Sequence, residues 1–410
     1  MKNVLFLLGA YEPAPSANGI CALMIIEKMK SLGINVSCVA NMYQKREKEE
    51  TIDGVKIRRI DNQLYLQLQE KAKLQKSAIK RFLFSSASVC TDIGRLIIYK
   101  NKFPIMSPIR ATSYFQEAER LVKEKCIDTV IAINIPIEAI EATMMLKDKY
   151  KDLHCIAYLL DPIYGGIHHR FLSEKEELER AQKYEKKVLC CFDKVIVQKE
   201  HQSHYTATYT SDELRKVEYL GVPLLSNKIK GRVARKDNFV AIFAGGVSEK
   251  TRNPRYIIEV FKRISNARLK MFITNEHGFV NGYVNGCNNI EIFGRIPHDK
   301  LEEEFANADC LVNIGNNQTM QAPSKLIEYM SYGKPIVSTY RISSDTSKEY
   351  MDRYPMSIYL DENNSNYDQA AMAIRELVMN ESNIISFEEL EEIFGEYTPD
   401  AFLKAINLTM

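Results

Sequence analysis

The chain has 410 residues, 45% of them apolar and 26% charged, with a formal net charge of +2. That length accommodates two ordinary domains, and the composition is that of a globular protein, which excludes the disordered and fibrous classes. A charge balance so near neutral argues against a nucleic-acid partner. The nine cysteines are scattered without a CxxC pair, so they read as reduced thiols of a cytoplasmic protein, and no residue set has metal-site spacing. No apolar run approaches the roughly 18 residues of a membrane span, and the run at 4–8 is too short for a signal-peptide core.

In chain order, a strand at 3–8 leads through the loop GAYEPAPSANG to a helix at 20–32, closed by Gly33 before a strand at 36–40. This is a βαβ unit with a Gly/Pro/Ser-rich loop at its first strand's carboxyl end, where open α/β sheets hold ligands. The loop lacks G-x-G-x-x-G, which argues against a dinucleotide cofactor. Asp53-Gly54 marks a hairpin into a strand at 55–60. From Lys71 to Arg110, nine basic residues face one acid, Asp92, and are interleaved with apolar residues such as Leu74, Ile79, Phe82, Leu83 and Ile97. Basic helices with apolar faces suit an anionic membrane surface, or equally a helix pair packed on the domain with a solvated basic side.

Alternation resumes with helices at 113–124 and 136–149 and strands at 129–134 and 153–160. The last of these ends in LLDPIYGG, which puts Asp161 at a strand's carboxyl end, with His168 and His169 close behind. A charged helix at 173–189, a strand at 194–197, a helix near 200–208 and a strand at 217–220 complete a first domain, 1–225. SNKIKGRVARKDN is a linker by composition. The second domain, 226–396, opens with a strand at 238–244 and the loop GGVSEKTRNP. There Arg252 stands just before a helix start marked by Pro254, either an ordinary surface arginine or one placed to grip an anion with its planar fork. Strands at 269–274 and 290–293 follow, the second running into GRIPHDKL, and then a helix at 299–306. Helices near 366–379, 387–394 and 399–406 end the chain.

Residues 309–339, DCLVNIGNNQTMQAPSKLIEYMSYGKPIVST, carry the densest signal. A strand at 310–314 breaks into a polar loop, and a short helix at 325–332 starts behind Pro323 and Ser324. Gly333 ends it ahead of a strand at 336–338. Strand, loop and helix N-terminus in that order make an anion pocket, because first-turn N–H groups have no intrahelical partners. Lys325 adds a mobile positive charge at its mouth. Glu328, one turn on, can accept from sugar hydroxyls or form an ordinary i, i+3 ion pair with Lys325.

PSKLIEYMSYGKPIV resembles the nucleotide-sugar motif of GT-B glycosyltransferases, specifically the retaining family 4 group. The resemblance implies an α/β protein with the GT-B fold, two Rossmann-like domains facing across a cleft, and a last helix, about 397–410, that packs back on the first. It implies a metal-independent, retaining hexosyltransferase that serves cell-surface polysaccharide synthesis. Its donor would be a nucleotide-diphospho-sugar, bound as substrate with no further cofactor, and its acceptor a saccharide or a lipid-linked one. Glu328 would bind the donor ribose. Arg252 and Lys325, with the helix N-terminus at Ser324, would neutralise the diphosphate. Gly246, Asn253 and Gln321 would join the donor pocket, while Arg295 and Ile296 hold the base through backbone groups. Gly19 would let substrate approach the first loop, and Asp161 would be the catalytic carboxylate on the acceptor side. With the basic segment 71–110, the protein is expected in the cytoplasm, peripherally on the inner face of the membrane.

Three places depart from the family pattern. Met320 stands where a second acid is usual, with Gln318 and Gln321 as the nearest polar stand-ins. Gly246 occupies a position that often holds arginine, and NEHG at 275–278 replaces a glycine pair. A nucleotide-sugar epimerase on the same fold and a non-catalytic nucleotide-sugar-binding protein remain as alternatives.

Overall fold

The computed structural model describes residues 2–13, 15–42, 46–99, 104–164, 172–230, 238–275, 277–316, 324–380 and 385–408. The chain divides into two compact units, Met1–Pro223 with Pro399–Met410, and Leu224–Thr398.

In the first unit, β1 (Asn3–Leu7), α1 (Ala17–Ser31) and β2 (Asn35–Asn41) form the opening βαβ unit. The hairpin of β3 (Glu49–Ile52) and β4 (Val55–Ile60) turns on Asp53 and Gly54, both at positive φ (48° and 82°), as a tight two-residue hairpin turn requires. Two helices follow, α2 (Leu64–Lys73) and α3 (Ala78–Ile98). Next, α4 (Pro108–Lys125) starts five residues ahead of the expected position. Ser107 caps it by accepting from Arg110 N, and Pro108 at its start needs no N–H partner. Alternating β and α segments complete the unit: β5 (Thr129–Ile133), α5 (Ile137–Lys149), β6 (His154–Leu159), α6 (Glu174–Cys191), β7 (Lys194–Gln198), α7 (Gln202–Thr208) and β8 (Val217–Leu220). The sheet order is β3-β4-β2-β1-β5-β6-β7-β8, parallel except for β3. Val4–Leu7 and Val130–Ile133 are wholly buried, the continuous apolar run of a parallel strand covered on both faces.

The α2–α3 pair does show its basic residues to solvent, Lys71, Lys73, Lys76, Lys80 and Arg81 among them, but it exposes apolar residues as well. The two helices pack on each other: Ser88 Oγ donates to Tyr65 O (2.8 Å) and the Arg95 guanidinium lies 5.0 Å over the Tyr65 ring. Only Ala72 of α2, and Ser88 and Leu96 of α3, are buried. The apolar side of α3 therefore looks outward. Arg110 does not belong to that basic surface. It is buried, and its guanidinium donates to Asp61 O and Asn41 Oδ1, because a buried cation must find acceptors.

The second unit runs β9 (Phe239–Gly245), α8 (Arg255–Phe261), β10 (Ala267–Ile273), α9 (Gly278–Val284), β11 (Ile290–Phe293), α10 (His298–Asn307), β12 (Cys310–Ile314), α11 (Ser324–Met330) and β13 (Ile336–Tyr340). Then come α12 (Ser347–Arg353), β14 (Ser357–Asp361), α13 (Tyr367–Met379) and α14 (Phe387–Phe394). The six strands lie in the order β11-β10-β9-β12-β13-β14, all parallel. The sequence pattern assigns no element to the stretch that forms α12 and β14. β14 is half-buried at every residue, so it shows neither alternation nor a continuous apolar run. Last, α15 (Pro399–Ala405) packs on α1 in the first unit, with Lys28 paired to Asp400 (2.8 Å) and the Phe402 ring 4.8 Å from that of Tyr158.

Where β12 ends, Gly315 passes so close to β13 that a Cβ would lie 2.5 Å from Thr339 O and 2.6 Å from Asp345 Oδ2. A backbone carbonyl cannot step aside, so Gly315→Ala should destabilise the second unit by about 1–3 kcal/mol, the usual cost of overpacking. An unchanged urea midpoint would show that the β12–β13 spacing relaxes instead.

Candidate active site

Open parallel sheets bind ligands outside the strands' carboxyl ends, where the strand order reverses. In the second unit that point lies between β9 and β12. Gly245 and Gly246 leave one strand there, and Gly315 and Asn316 leave the other. Tyr329 of α11 reaches this edge: its buried hydroxyl accepts from Ala244 N (3.1 Å) and donates to Ala244 O (3.3 Å). Burial pushes its pKa well up, so it stays a neutral donor and acceptor. Asn275, just past β10, clamps the glycine loop by accepting from Val247 N (2.9 Å) and donating to Val247 O (2.7 Å). The sequence reading missed Asn275, for which NEHG offered no sign beyond its place after a strand.

Arg252 enters this edge from the loop after β9. Ser248 and Arg252 exchange backbone hydrogen bonds (2.9 and 3.1 Å) that close the loop. The guanidinium Nη1 would stand 3.9 Å from a Cβ on Gly245. Its Nε is buried and has no hydrogen-bond partner among the described residues. Burial pulls the Arg252 pKa down, and the nearby Tyr329 and Asp345 oppose that only in part. A guanidinium stays protonated even so. A partly buried cation without a partner is costly until an anion arrives.

Glu328 is incomplete in a complementary way. Its Oε2 accepts from Lys325 Nζ (2.7 Å), so the i, i+3 pair does form and Lys325 is not a free charge. Lys325 Nζ also lies 5.2 Å over the Phe305 ring. Yet Glu328 is only 14% exposed, and its Oε1 is buried without a partner. One carboxylate oxygen is held by the lysine and the other is open to a hydroxyl donor.

A third set of side chains holds the loop that leaves β12. Asp345, buried, accepts from Asn316 N (3.0 Å) and Ser347 N (2.7 Å). Thr339 Oγ1 accepts from Gly315 N (3.4 Å) and donates to Glu362 Oε1 (2.7 Å), while burial raises the Glu362 pKa. Asn313 Nδ2 donates to Ser338 Oγ (2.8 Å). None of these was singled out from sequence; Asp345 in SSDTS reads as one more turn residue.

The remaining predicted residues fall as follows. Gly246 lies at the edge, where a Cβ would touch Asn275 Oδ1 at 3.5 Å. Asn253 closes its own turn, donating to Glu249 O and accepting from Arg255 N. Arg295 is exposed and Ile296 half-buried in the loop after β11, two strands from β9. Ser324 is the first residue of α11, one place inside the helix rather than ahead of it. Gln318, Met320, Gln321, Pro323, His168 and His169 lie outside the described residues. Gly19 is corrected: it sits in the first turn of α1, where a Cβ would be 2.1 Å from Ala10 O. The protein's own loop fills the space that a substrate was expected to use.

Asp161 belongs to the other unit. There the strand order reverses between β1 and β5, and Asp161 follows the adjacent β6. Its Oδ2 accepts from Asn18 Nδ2 (2.7 Å), and its carbonyl accepts from Asn134 Nδ2 (2.6 Å). Asn134 Oδ1 in turn accepts from Leu160 N (3.1 Å). Three polar residues thus gather at the carboxyl ends of β1, β5 and β6.

The family model for glycosyl transferases group 1 matches residues 238–380, a span that contains Arg252, Lys325, Glu328 and the Asp345 network. The second unit is a group 1 glycosyltransferase domain. Solved structures resemble the chain over nearly its whole length. Anabaena HepE in complex with UDP and glucose is 10% identical, with 99% of each chain covered and a TM-score of 0.57. The E. coli trehalose-6-phosphate protein bound with UDP-2-fluoro glucose is also 10% identical, with both chains fully covered and a TM-score of 0.57. WaaG, a glycosyltransferase involved in lipopolysaccharide biosynthesis, is 13% identical, with 99% of each chain covered and a TM-score of 0.54. At such identities the likeness is one of fold, the GT-B pair of parallel-sheet α/β domains. No curated protein matches the sequence.

Two substitutions test the site. Glu328→Ala removes the open acceptor and should weaken donor binding by about 1.5–3 kcal/mol, the range for hydrogen bonds to a charged group. Calorimetry that shows unchanged affinity in a folded variant would reduce Glu328 to an ion-pair partner. Arg252→Lys should recover little of what Arg252→Ala loses, because an ammonium lacks the planar fork. Wild-type activity in the lysine variant would mean a point charge suffices.

Proposed function

We propose that the protein is a retaining glycosyltransferase that moves a sugar from a nucleotide-diphospho-sugar to a saccharide or lipid-linked acceptor of a cell-surface glycan. The observation that carries this reading is the pair of unsatisfied groups at one sheet edge, the Arg252 Nε and the Glu328 Oε1. One needs an anion and the other a hydroxyl donor, and a nucleoside diphosphate offers both, in its diphosphate and its ribose. The UDP in two of the structurally similar proteins is in keeping with such a donor.

Transfer breaks the bond between the sugar's anomeric carbon and the diphosphate oxygen and forms one to an acceptor hydroxyl, whose proton leaves with the departing diphosphate. The protein's task is to position the donor and to stabilise the charge that develops on the leaving group. Arg252 offsets that negative charge, Lys325 assists from the first turn of α11, and Glu328 fixes the ribose. In the first unit, Asp161, oriented by Asn18, is assigned to the acceptor hydroxyl. Cations rather than an acidic pair serve the diphosphate in this reading, so catalysis needs no divalent ion.

Activity should therefore survive EDTA. Loss on chelation with recovery in magnesium or manganese would overturn the metal-independent assignment. Nucleotide release should also depend on an acceptor. Rapid release of free nucleoside diphosphate without one would favour an epimerase or hydrolase on the same fold, and binding without any turnover would favour a sugar-nucleotide-binding protein.

A further inference from the structure

The surface of the α2–α3 hairpin is unlike the rest of the molecule. Of the twelve large hydrophobic residues that the described surface exposes, nine fall between Leu64 and Ile98, so the apolar exposure is concentrated rather than scattered. On α3 the exposed Ile79, Phe82, Leu83, Val89, Ile93 and Ile97 follow helical spacing. At about 100° per residue they share one sector roughly 120° wide, a stripe broken only by Ser86 and Cys90 along a helix about 30 Å long. The residues of α3 that are buried are Ser88, on the far side, and Leu96, at the edge of the stripe. A helix that turns its larger apolar face to solvent has that face covered by something else.

We propose that this hairpin docks on an anionic lipid bilayer, with α3 lying along the surface and its stripe at the boundary of headgroups and acyl chains. Charge selects this occupant. Lys71, Lys73, Lys76, Lys80 and Arg81 crowd the tip of the hairpin, all exposed, and none forms an ion pair among the described residues. Lysines elsewhere on the same unit do find carboxylates, as Lys147 does with Asp193 and Lys187 with Glu141. Anionic headgroups supply the counter-charge that the tip lacks, while the stripe inserts beside them. Pairing with a second copy through the stripe would leave the five cations uncompensated. No helix among the described residues is long and apolar enough to cross a membrane, so α3 lies on the bilayer. The inference is independent of the sugar chemistry and does not stand or fall with it.

Co-sedimentation of the full chain with vesicles tests this. The probes are phosphatidylcholine alone and phosphatidylcholine with one-third phosphatidylglycerol, each at low and high salt. Binding should require the anionic lipid and weaken with salt, because exposed charges are screened over about a nanometre. Two variants separate the terms: Phe82→Ser/Leu83→Ser/Ile93→Ser and Lys76→Glu/Lys80→Glu/Arg81→Glu. Each should lower vesicle affinity by roughly tenfold or more. All six positions are exposed, so both variants should melt like the wild type. The proposal is overturned by equal binding to both vesicles, by no binding at low salt, or by wild-type affinity in either variant. Sedimentation velocity that finds a wild-type dimer split by the serine variant, with no vesicle binding, would instead assign the stripe to a second copy.

Discussion

The candidate donor site depends on one side chain, the phenol of Tyr329, which makes two hydrogen bonds to the backbone of Ala244. Those bonds tie α11 to the last residues of β9 and so bring Glu328, its sequence neighbour, to the edge where Arg252 enters. A buried hydroxyl between a backbone donor and a backbone acceptor is held by both, since losing it would leave two main-chain groups unpaired at about 1–3 kcal/mol each. Tyr329 also packs edge-on against Phe305 (5.2 Å), the ring over which Lys325 sits. Packing and hydrogen bonding therefore position the lysine, the glutamate and the glycine loop together.

Around that anchor, the polar groups fall into two kinds. Asn275, Asp345, Thr339 and Asn313 have their partners within the unit, and they make the strand ends rigid. Arg252 and Glu328 keep one buried polar atom each without a partner. Satisfied networks beside unsatisfied atoms are what a preorganised ligand site requires, because the ligand then completes bonds without first breaking any. At the reversal point of the first unit, Asn18 and Asn134 hold Asp161 from either end of the residue.

The hairpin of α2 and α3 obeys the opposite rule. Its buried residues are few, Ala72, Ser88 and Leu96, while most of its larger apolar residues face out. Helices gain most of their stability in proteins by burying an apolar face. Here that gain is left for a second surface. The hairpin thus belongs to the first unit, apart from the residues of the candidate donor site in the second.

The motif around Glu328, the alternation of strands and helices, and the loops at the carboxyl ends of the strands were legible in the sequence because they rest on local signals: apolar periodicity, turn glycines, and a fixed Glu-Gly-Pro spacing. The grouping of Arg252 with Glu328, 76 positions apart, follows from sheet order and could not be read locally. The same holds for Asn275 and Asp345, ordinary loop residues until strand pairing sets them beside Val247 and Asn316. Gly19 was assigned to substrate, but its surroundings are filled by the protein's own backbone, a fact of three-dimensional space rather than of residue type. The basic and apolar character of 71–110 was plain in the composition. Which face of α3 the fold buries was decided only in the tertiary structure. The two faces of an amphipathic helix are equally apparent in its sequence, and only its neighbours determine which one is left to solvent.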